Sequence, residues 1–238
     1  ARPDAVIYLE GGPGGSVIAA LDAWKDSSLR RTRDLILVDQ RGTGYSWPVL
    51  NCEEMDDDRY DTEDAALEAC RDRLEQEGIH LASYNSRENA ADIAALIDAL
   101  ELGAVNLYGI SYGTRLALTM MRDHTANLRS VVLDATYPPD VASLAEGPMH
   151  MQRAFDALFA ACRESSSCDA AYPDLETAFY RLLEKLNHRP YDLADGFELA
   201  GSDYADSLFQ ALYDSELIPV LPFAMSLALG GDVQTSYD

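Results

Sequence analysis

No stretch of this 238-residue sequence approaches the roughly 18 to 20 uninterrupted apolar residues that a membrane span requires. Ala1-Arg2-Pro3-Asp4 lacks the charged and apolar regions of a signal peptide, so any export signal is expected to have been removed already. Basic side chains are scarce: 18 Lys and Arg stand against 41 Asp and Glu, which gives a net charge of -23 and a pI near 4.3. A surface of that sign repels phosphate backbones and anionic lipid, which excludes nucleic acid and membrane surfaces as partners. It leaves a cationic ligand open, or an acid excess that only hydrates the surface. The biased composition of disordered or collagen-like chains is missing too, since 47% of residues are hydrophobic and 25% charged. The four cysteines lack the Cys or His spacing of a zinc site, so neither a metal nor another cofactor is expected.

What is present is enough chain for one large domain, or one domain with an insert. Residues 5–9 form a short apolar run that ends in Gly11-Gly12-Pro13-Gly14-Gly15, and residues 35–38 form another that ends in Asp39-Gln40-Arg41-Gly42. Both read as buried parallel strands. Ile93, Leu96, Ile97 and Leu100 are spaced for a helix over 86–100, with Asn85 as N-cap and Glu88 as its capping-box partner. A strand at 105–108, a helix at 114–122 and a strand at 131–133 follow. Strands alternating with helices predict a doubly wound, mostly parallel α/β sheet over residues 1–138. After Pro138-Pro139 the pattern changes to consecutive helices near 149–162, 175–186, 204–212 and 217–229 without a convincing strand. Residues 139–238 therefore read as an inserted helical cap.

Gly109-Ile110-Ser111-Tyr112-Gly113 lies between a predicted strand and a predicted helix, the setting that a G-x-S-x-G nucleophile elbow requires. Ser111 occupies a strained turn there, so Gly109 and Gly113 are needed where the strand and helix backbones approach. The turn holds the Ser111 hydroxyl at a helix N-terminus, where amide groups and the helix dipole favour developing negative charge. The loop Gly11-Gly12-Pro13-Gly14-Gly15-Ser16 supplies a bare backbone. It lacks the Lys-Ser/Thr ending of a phosphate-binding loop and the G-x-G-x-x-G spacing, which leaves an oxyanion role. Such a hole needs two donors; the Gly12 and Tyr112 amides are the expected pair, with Gly11 shaping the loop. Asp39 and Arg41 read as an internal salt bridge that supports the neighbouring loop, rather than as substrate contacts.

At these residues the chain resembles the serine aminopeptidase branch of the α/β-hydrolases, which contains prolyl iminopeptidases and secreted tripeptidyl aminopeptidases. Three blocks match in order: Gly11-Gly-Pro-Gly-Gly-Ser16, Asp39-Gln-Arg-Gly-Thr-Gly44 with Ser46, and Gly109-Ile-Ser-Tyr-Gly-Thr114. The resemblance extends through Val132-Leu-Asp134 into the cap. Glu10 stands where prolyl iminopeptidases carry histidine, which favours the tripeptidyl side. The resemblance implies an α/β-hydrolase fold and hydrolysis of a peptide bond near a free N-terminus, or of a small ester. A non-catalytic module of the same fold, binding a ligand or partner through its cleft, is the alternative.

The catalytic acid and histidine of this fold normally follow the cap, and no residue in this chain matches them. His124 lies about 20 Å down the nucleophile's helix, and His150 and His188 fall in the cap. Asp134, at a strand end, is a weaker candidate for orienting a base. An open sheet of about four strands would leave apolar edges, so the rest of the core is expected from a second chain, further segments, or a longer polypeptide of which this is a shortened piece. Recognition of a substrate α-ammonium group calls for a carboxylate in a partly dehydrated pocket; Glu198 and Glu216 are the candidates carried forward, with Asp203 and Asp214 beside them. Cys162 with Cys168 and Cys52 with Cys70 form two local pairs, read as disulfides, with free buried thiols as the alternative. Cys162 with Cys168 also resembles the cap disulfide of the secreted tripeptidyl members. Disulfides would place the protein in a secreted or periplasmic compartment.

Overall fold

The computed structural model describes residues 4–57 and 59–237; the residues at positions 1–3, 58 and 238, including most of the N-terminal stretch read above, lie outside the described residues. The chain divides into two compact units, Ala1–Val141 and Ala142–Asp238. In chain order the first unit contains β1 (Val6–Leu9), α1 (Leu21–Lys25), β2 (Leu35–Leu37), α2 (Glu63–Gln76), α3 (Ser86–Ala99), β3 (Val105–Ile110), α4 (Tyr112–Asp123) and β4 (Leu128–Asp134). The four strands form one parallel sheet in the order β2-β1-β3-β4.

Ile7, Leu9, Val105 and Leu107 alternate onto one face of this sheet and are almost fully buried. They pack with Ile93 and Ile97 of α3 and Leu116 and Met120 of α4, apolar positions four residues apart that share one side of each helix. Each such side chain contributes roughly 1.5–3 kcal/mol on burial. The opposite face carries Tyr8 and Tyr108, whose rings meet edge to face, and Trp24 of α1 lies against Tyr8 at 4.2 Å between centroids. At the N-terminal ends of the strands, buried Asp4 accepts hydrogen bonds from Arg33, Arg129 and Asn106. One carboxylate thus ties together the segments that enter all four strands. These bonds, led by Asn106 and then Arg33, hold the Asp4 carboxyl well below the usual carboxylate range.

The Asn85 side chain accepts from the amides of Arg87 and Glu88 and so starts α3. The reciprocal bond, in which the Asn85 amide would donate to the Glu88 carboxylate, does not form among the described residues. Helix α2 is an addition to the sequence reading. Its buried residues are only Ala66, Cys70 and Leu74, too few apolar positions in a polar stretch to announce it.

The second unit contains α5 (Ser143–Glu164), α6 (Ser166–Ala171), α7 (Leu175–His188), β5 (Tyr191–Asp192), β6 (Glu198–Leu199), α8 (Gly201–Ala211), α9 (Leu221–Leu229) and α10 (Val233–Tyr237). Phe155, Phe159, Phe179, Leu199, Tyr204 and Met225 centre its own apolar core. Two expectations are corrected here. The stretch read as strand-free contains the antiparallel hairpin β5-β6, whose two-residue strands are too short to show a period. Helix α5 begins six residues before the expected 149, and Pro148 lies inside it, where the ring removes one helical N–H donor.

Both expected disulfides are present, Cys52–Cys70 and Cys162–Cys168, with no free cysteine. Cys52 and Cys70 also form, with Glu54, the one cluster of potential metal-ligating groups among the described residues, and the disulfide occupies its two sulfurs. No helix among the described residues is long and apolar enough to cross a membrane.

Candidate active site

The strand order places a topological switch between β1 and β3: from β1 the chain moves outward to β2, then crosses to β3 on the other side. Open α/β sheets bind ligands outside the carboxyl ends of strands at such a point. Here β1 delivers the glycine loop and β3 delivers Ser111, with Leu9 and Gly109 paired in register.

Ser111 has φ 51° and ψ -120°, a left-handed conformation rare for a side chain other than glycine. The surrounding backbone enforces it. Ser111 N–H donates to the Asp134 carbonyl at 2.9 Å, and the Ser111 carbonyl accepts from both the amide and the hydroxyl of Thr114. A Cβ on Gly109 would overlap the Gly113 carbonyl, and one on Gly113 would overlap the Leu9 carbonyl, so strand β3, helix α4 and strand β1 meet backbone to backbone. The resulting turn leaves Ser111 exposed at the first turn of α4, and its Oγ has no hydrogen-bond partner among the described residues.

Gly11 lies directly against the serine. A Cβ built there would fall 3.1 Å from Ser111 Cβ and 3.6 Å from Ser111 Oγ. The Gly11 amide is engaged, donating to Glu10 Oε1 at 2.8 Å. The amides of Gly12 and Tyr112 have no partner among the described residues. They are therefore donors still available to a substrate oxygen. On β3 the Tyr108 hydroxyl donates to Asp134 Oδ2 at 2.9 Å, and this bond, then burial, raises the Tyr108 pKa.

Asp39 is buried but does not bridge to Arg41, which corrects the expected ion pair. Its Oδ2 accepts from the Ser16 hydroxyl and the Tyr45 amide, both at 2.9 Å, and its Oδ1 from the Ile18 amide at 3.1 Å. Arg41 turns the other way, to both oxygens of Asp92 and the Ser83 carbonyl. Asp39 thus joins the glycine loop to the loop after β2, while Arg41 joins that loop to α3. Gly44 is required between them, because a Cβ there would overlap Asp39 Oδ2. Sequence reading missed Gln40 and Thr114 as supports. Gln40 is buried and donates to the Glu10 carbonyl at 2.9 Å, and Thr114 Oγ1 accepts from the Tyr137 amide at 2.7 Å. Their presence inside the matching sequence blocks was the only available signal.

Within the first unit His124 caps the far end of α4, away from Ser111. Within the second, His150 faces Glu146 along α5 and His188 ends α7. Glu198 and Glu216 are exposed within the second unit, Asp203 accepts from the Ala200 amide at the start of α8, and Asp214 accepts from the Glu216 amide in a turn. The expected dehydrated carboxylate pocket is not formed by these four among the described residues of that unit.

A family model described as alpha/beta hydrolase fold matches residues 4–208. The chain is 26% identical over 217 residues to "Putative hydrolase YuaR" of Escherichia coli (strain K12), covering 85% of this chain and 43% of that protein. It is 27% identical over 240 residues to "Carboxylesterase B" of Mycobacterium tuberculosis (strain ATCC 25618 / H37Rv), covering 90% of this chain and 46% of that protein. "Putative hydrolase Mb2247c" of Mycobacterium bovis (strain ATCC BAA-935 / AF2122/97) matches to the same extent. The chain spans less than half the length of these curated relatives.

Proposed function

Because the chain belongs to the alpha/beta hydrolase fold family, we propose that it carries the nucleophile and oxyanion half of a serine hydrolase site. The observation behind this reading is Ser111, held in a left-handed turn at the N-terminus of α4 with Gly11 packed against it. In the proposed reaction Ser111 Oγ attacks the substrate carbonyl carbon, and its proton passes to an imidazole base. The carbonyl oxygen, now anionic, lies between the Gly12 and Tyr112 amides. Collapse expels an amine or alcohol, which takes the proton from the imidazole, and water then releases the acid from the acyl-enzyme. The base and its carboxylate partner are proposed to come from polypeptide other than the described residues. The remainder of the hydrolase core, as a second chain or further segments, would supply them.

For the substrate, the three sequence blocks around Gly11, Asp39 and Ser111 favour an N-terminal aminoacyl or short peptidyl amide. The name of the relative Carboxylesterase B favours a small carboxylic ester as the second reading. The two disulfides support an oxidising compartment, secreted or periplasmic. A fluorophosphonate probe is expected to label Ser111 in the full-length protein and to leave Ser111→Ala blank. A folded wild-type protein that stays unlabelled would refute the serine hydrolase reading. The ratio of kcat/KM for a free and an N-acetylated aminoacyl amide then separates the substrates. Aminopeptidase action predicts a loss of about 30- to 1,000-fold on acetylation, the effect of removing a charge-assisted bond. Equal values would assign the enzyme to ester or internal amide hydrolysis.

A further inference from the structure

The loop that faces Ser111 is Gly11-Gly12-Pro13-Gly14-Gly15, and four glycines in five residues give it little conformational preference of its own. Donors that stabilise an oxyanion act only if they are held in place before the reaction. Something outside the loop's own backbone must therefore hold it, and the contacts converge on Glu10. Glu10 Oε1 accepts the Gly11 amide at 2.8 Å, a bond strengthened by the carboxylate charge. The same oxygen receives the Tyr8 hydroxyl at 3.4 Å. The loop folds back over the side chain so closely that a Cβ on Gly15 would fall 2.8 Å from Glu10 Cγ, and the Gly15 amide closes onto the Gly11 carbonyl at 3.3 Å. The Glu10 backbone is fixed in turn by Gln40, whose side-chain amide donates to the Glu10 carbonyl at 2.9 Å.

Gly11 packs against the serine, Gly12 follows it in the loop, and Tyr112 follows the serine in sequence. Of these three amides, only that of Gly11 has its donor occupied by a side chain among the described residues. We propose that Glu10 is the positioning residue of the oxyanion loop: its carboxylate withdraws the Gly11 amide from the donor set and fixes the loop so that Gly12 N–H is the donor it presents. This assignment rests on the serine hydrolase reading above and adds the residue that orders the hole. Glu10 touches neither the reacting carbonyl nor Ser111 in this role.

The test uses the full-length protein with Glu10→Ala and Glu10→Gln, read in two ways. The first is kcat and KM for an activated ester. Glu10→Ala is expected to lower kcat about 10- to 100-fold while KM stays within about threefold, because a displaced donor weakens transition-state contacts more than ground-state binding. Glu10→Gln keeps a side-chain oxygen that can accept the Gly11 amide, and should restore most of kcat. The second readout is hydrogen–deuterium exchange in the peptide containing Gly11 to Gly15, expected to speed up in Glu10→Ala and to stay near wild type in Glu10→Gln. Wild-type kcat in Glu10→Ala, or Glu10→Gln as impaired as Glu10→Ala, would overturn the proposal. If the wild-type protein neither turns over nor labels at Ser111, the hydrolase reading fails, and exchange alone decides whether Glu10 holds the loop. Unchanged exchange in a folded Glu10→Ala protein overturns it in that case too.

Discussion

Asp4 shows how one side chain can carry a pH dependence for a whole sheet. It is buried among Arg33, Arg129 and Asn106, and its carboxyl is held below the usual range by those hydrogen bonds. A depressed carboxyl stabilises the folded chain wherever it is ionised there, fully above the unfolded value of about 3.9, and that contribution fades as pH falls toward the folded pKa. Replacing Asp4 with Asn removes the charge that two arginines share. Asp4→Asn should therefore melt below the wild type at pH 7, and the gap in Tm should narrow as the pH falls below about 4. A gap that stayed constant down to pH 3 would assign the effect to packing instead. At the other end of the strands, Ser111 and its glycines follow a different logic, in which no charge is involved and backbone contact leaves no room for a Cβ. That is why Gly109, Ser111 and Gly113 could be read directly from sequence: the constraint acts on residue type at fixed spacing. The partners of Asp39 and Arg41 could not, because Ser16 lies 23 residues and Asp92 51 residues away along the chain.

At the scale of elements, the two disulfides close loops of different length, and the difference is measurable. Cys52–Cys70 spans 18 residues and pins the segment before α2 to that helix, where Arg73 also holds Glu54 and the Asn51 carbonyl. Cys162–Cys168 spans six and staples the end of α5 to α6. Loop-closure entropy assigns about 3 kcal/mol to the longer and about 2 kcal/mol to the shorter. Paired Cys→Ala replacement at 52 and 70 should thus lower the unfolding free energy by about 1 kcal/mol more than replacement at 162 and 168, measured by urea titration. The reverse order would show that native contacts around Cys162 outweigh chain entropy. Strands β1 to β4 and helices α3 and α4 were legible because unbroken apolar runs and a clean helical period marked them. Helix α6 was not: Ser166, Ser167 and Asp169 in a staple between cysteines look like a polar loop, and only the Ser165 hydroxyl accepting from the Cys168 amide starts a helix there. The hairpin β5-β6 escaped for the opposite reason, since a turn held by Asp195 and Gly196 determines it rather than any strand pattern.

Over the whole chain the dominant long-range feature is charge. With 41 acidic and 18 basic side chains, at least 23 carboxylates have no basic side chain to neutralise them, whatever local pairs form. Two opposing effects follow at neutral pH. Self-repulsion among the excess acids destabilises the compact state, and salt relieves it; ion pairs such as Arg41–Asp92 and Arg163–Glu176 stabilise, and salt weakens them. Exposed pairs contribute only about 0–1 kcal/mol each, and several here join neighbours in sequence, such as Arg71–Asp72 and Arg122–Asp123, which constrain little of the tertiary structure. Repulsion acts between every pair of excess charges within a Debye length, about 30 Å at 0.01 M salt and about 8 Å at 0.15 M. Screening should therefore relieve more than it removes. Tm at pH 7 is expected to rise by a few degrees between about 0.01 M and about 0.3 M NaCl and then level off as the Debye length falls below the spacing of the charges. The Asp4 carboxylate, being buried, should be affected least, so Asp4→Asn should shift by the same increment as wild type. A Tm that falls with added salt would mean that the ion pairs, and not the excess acids, govern the electrostatics of this fold.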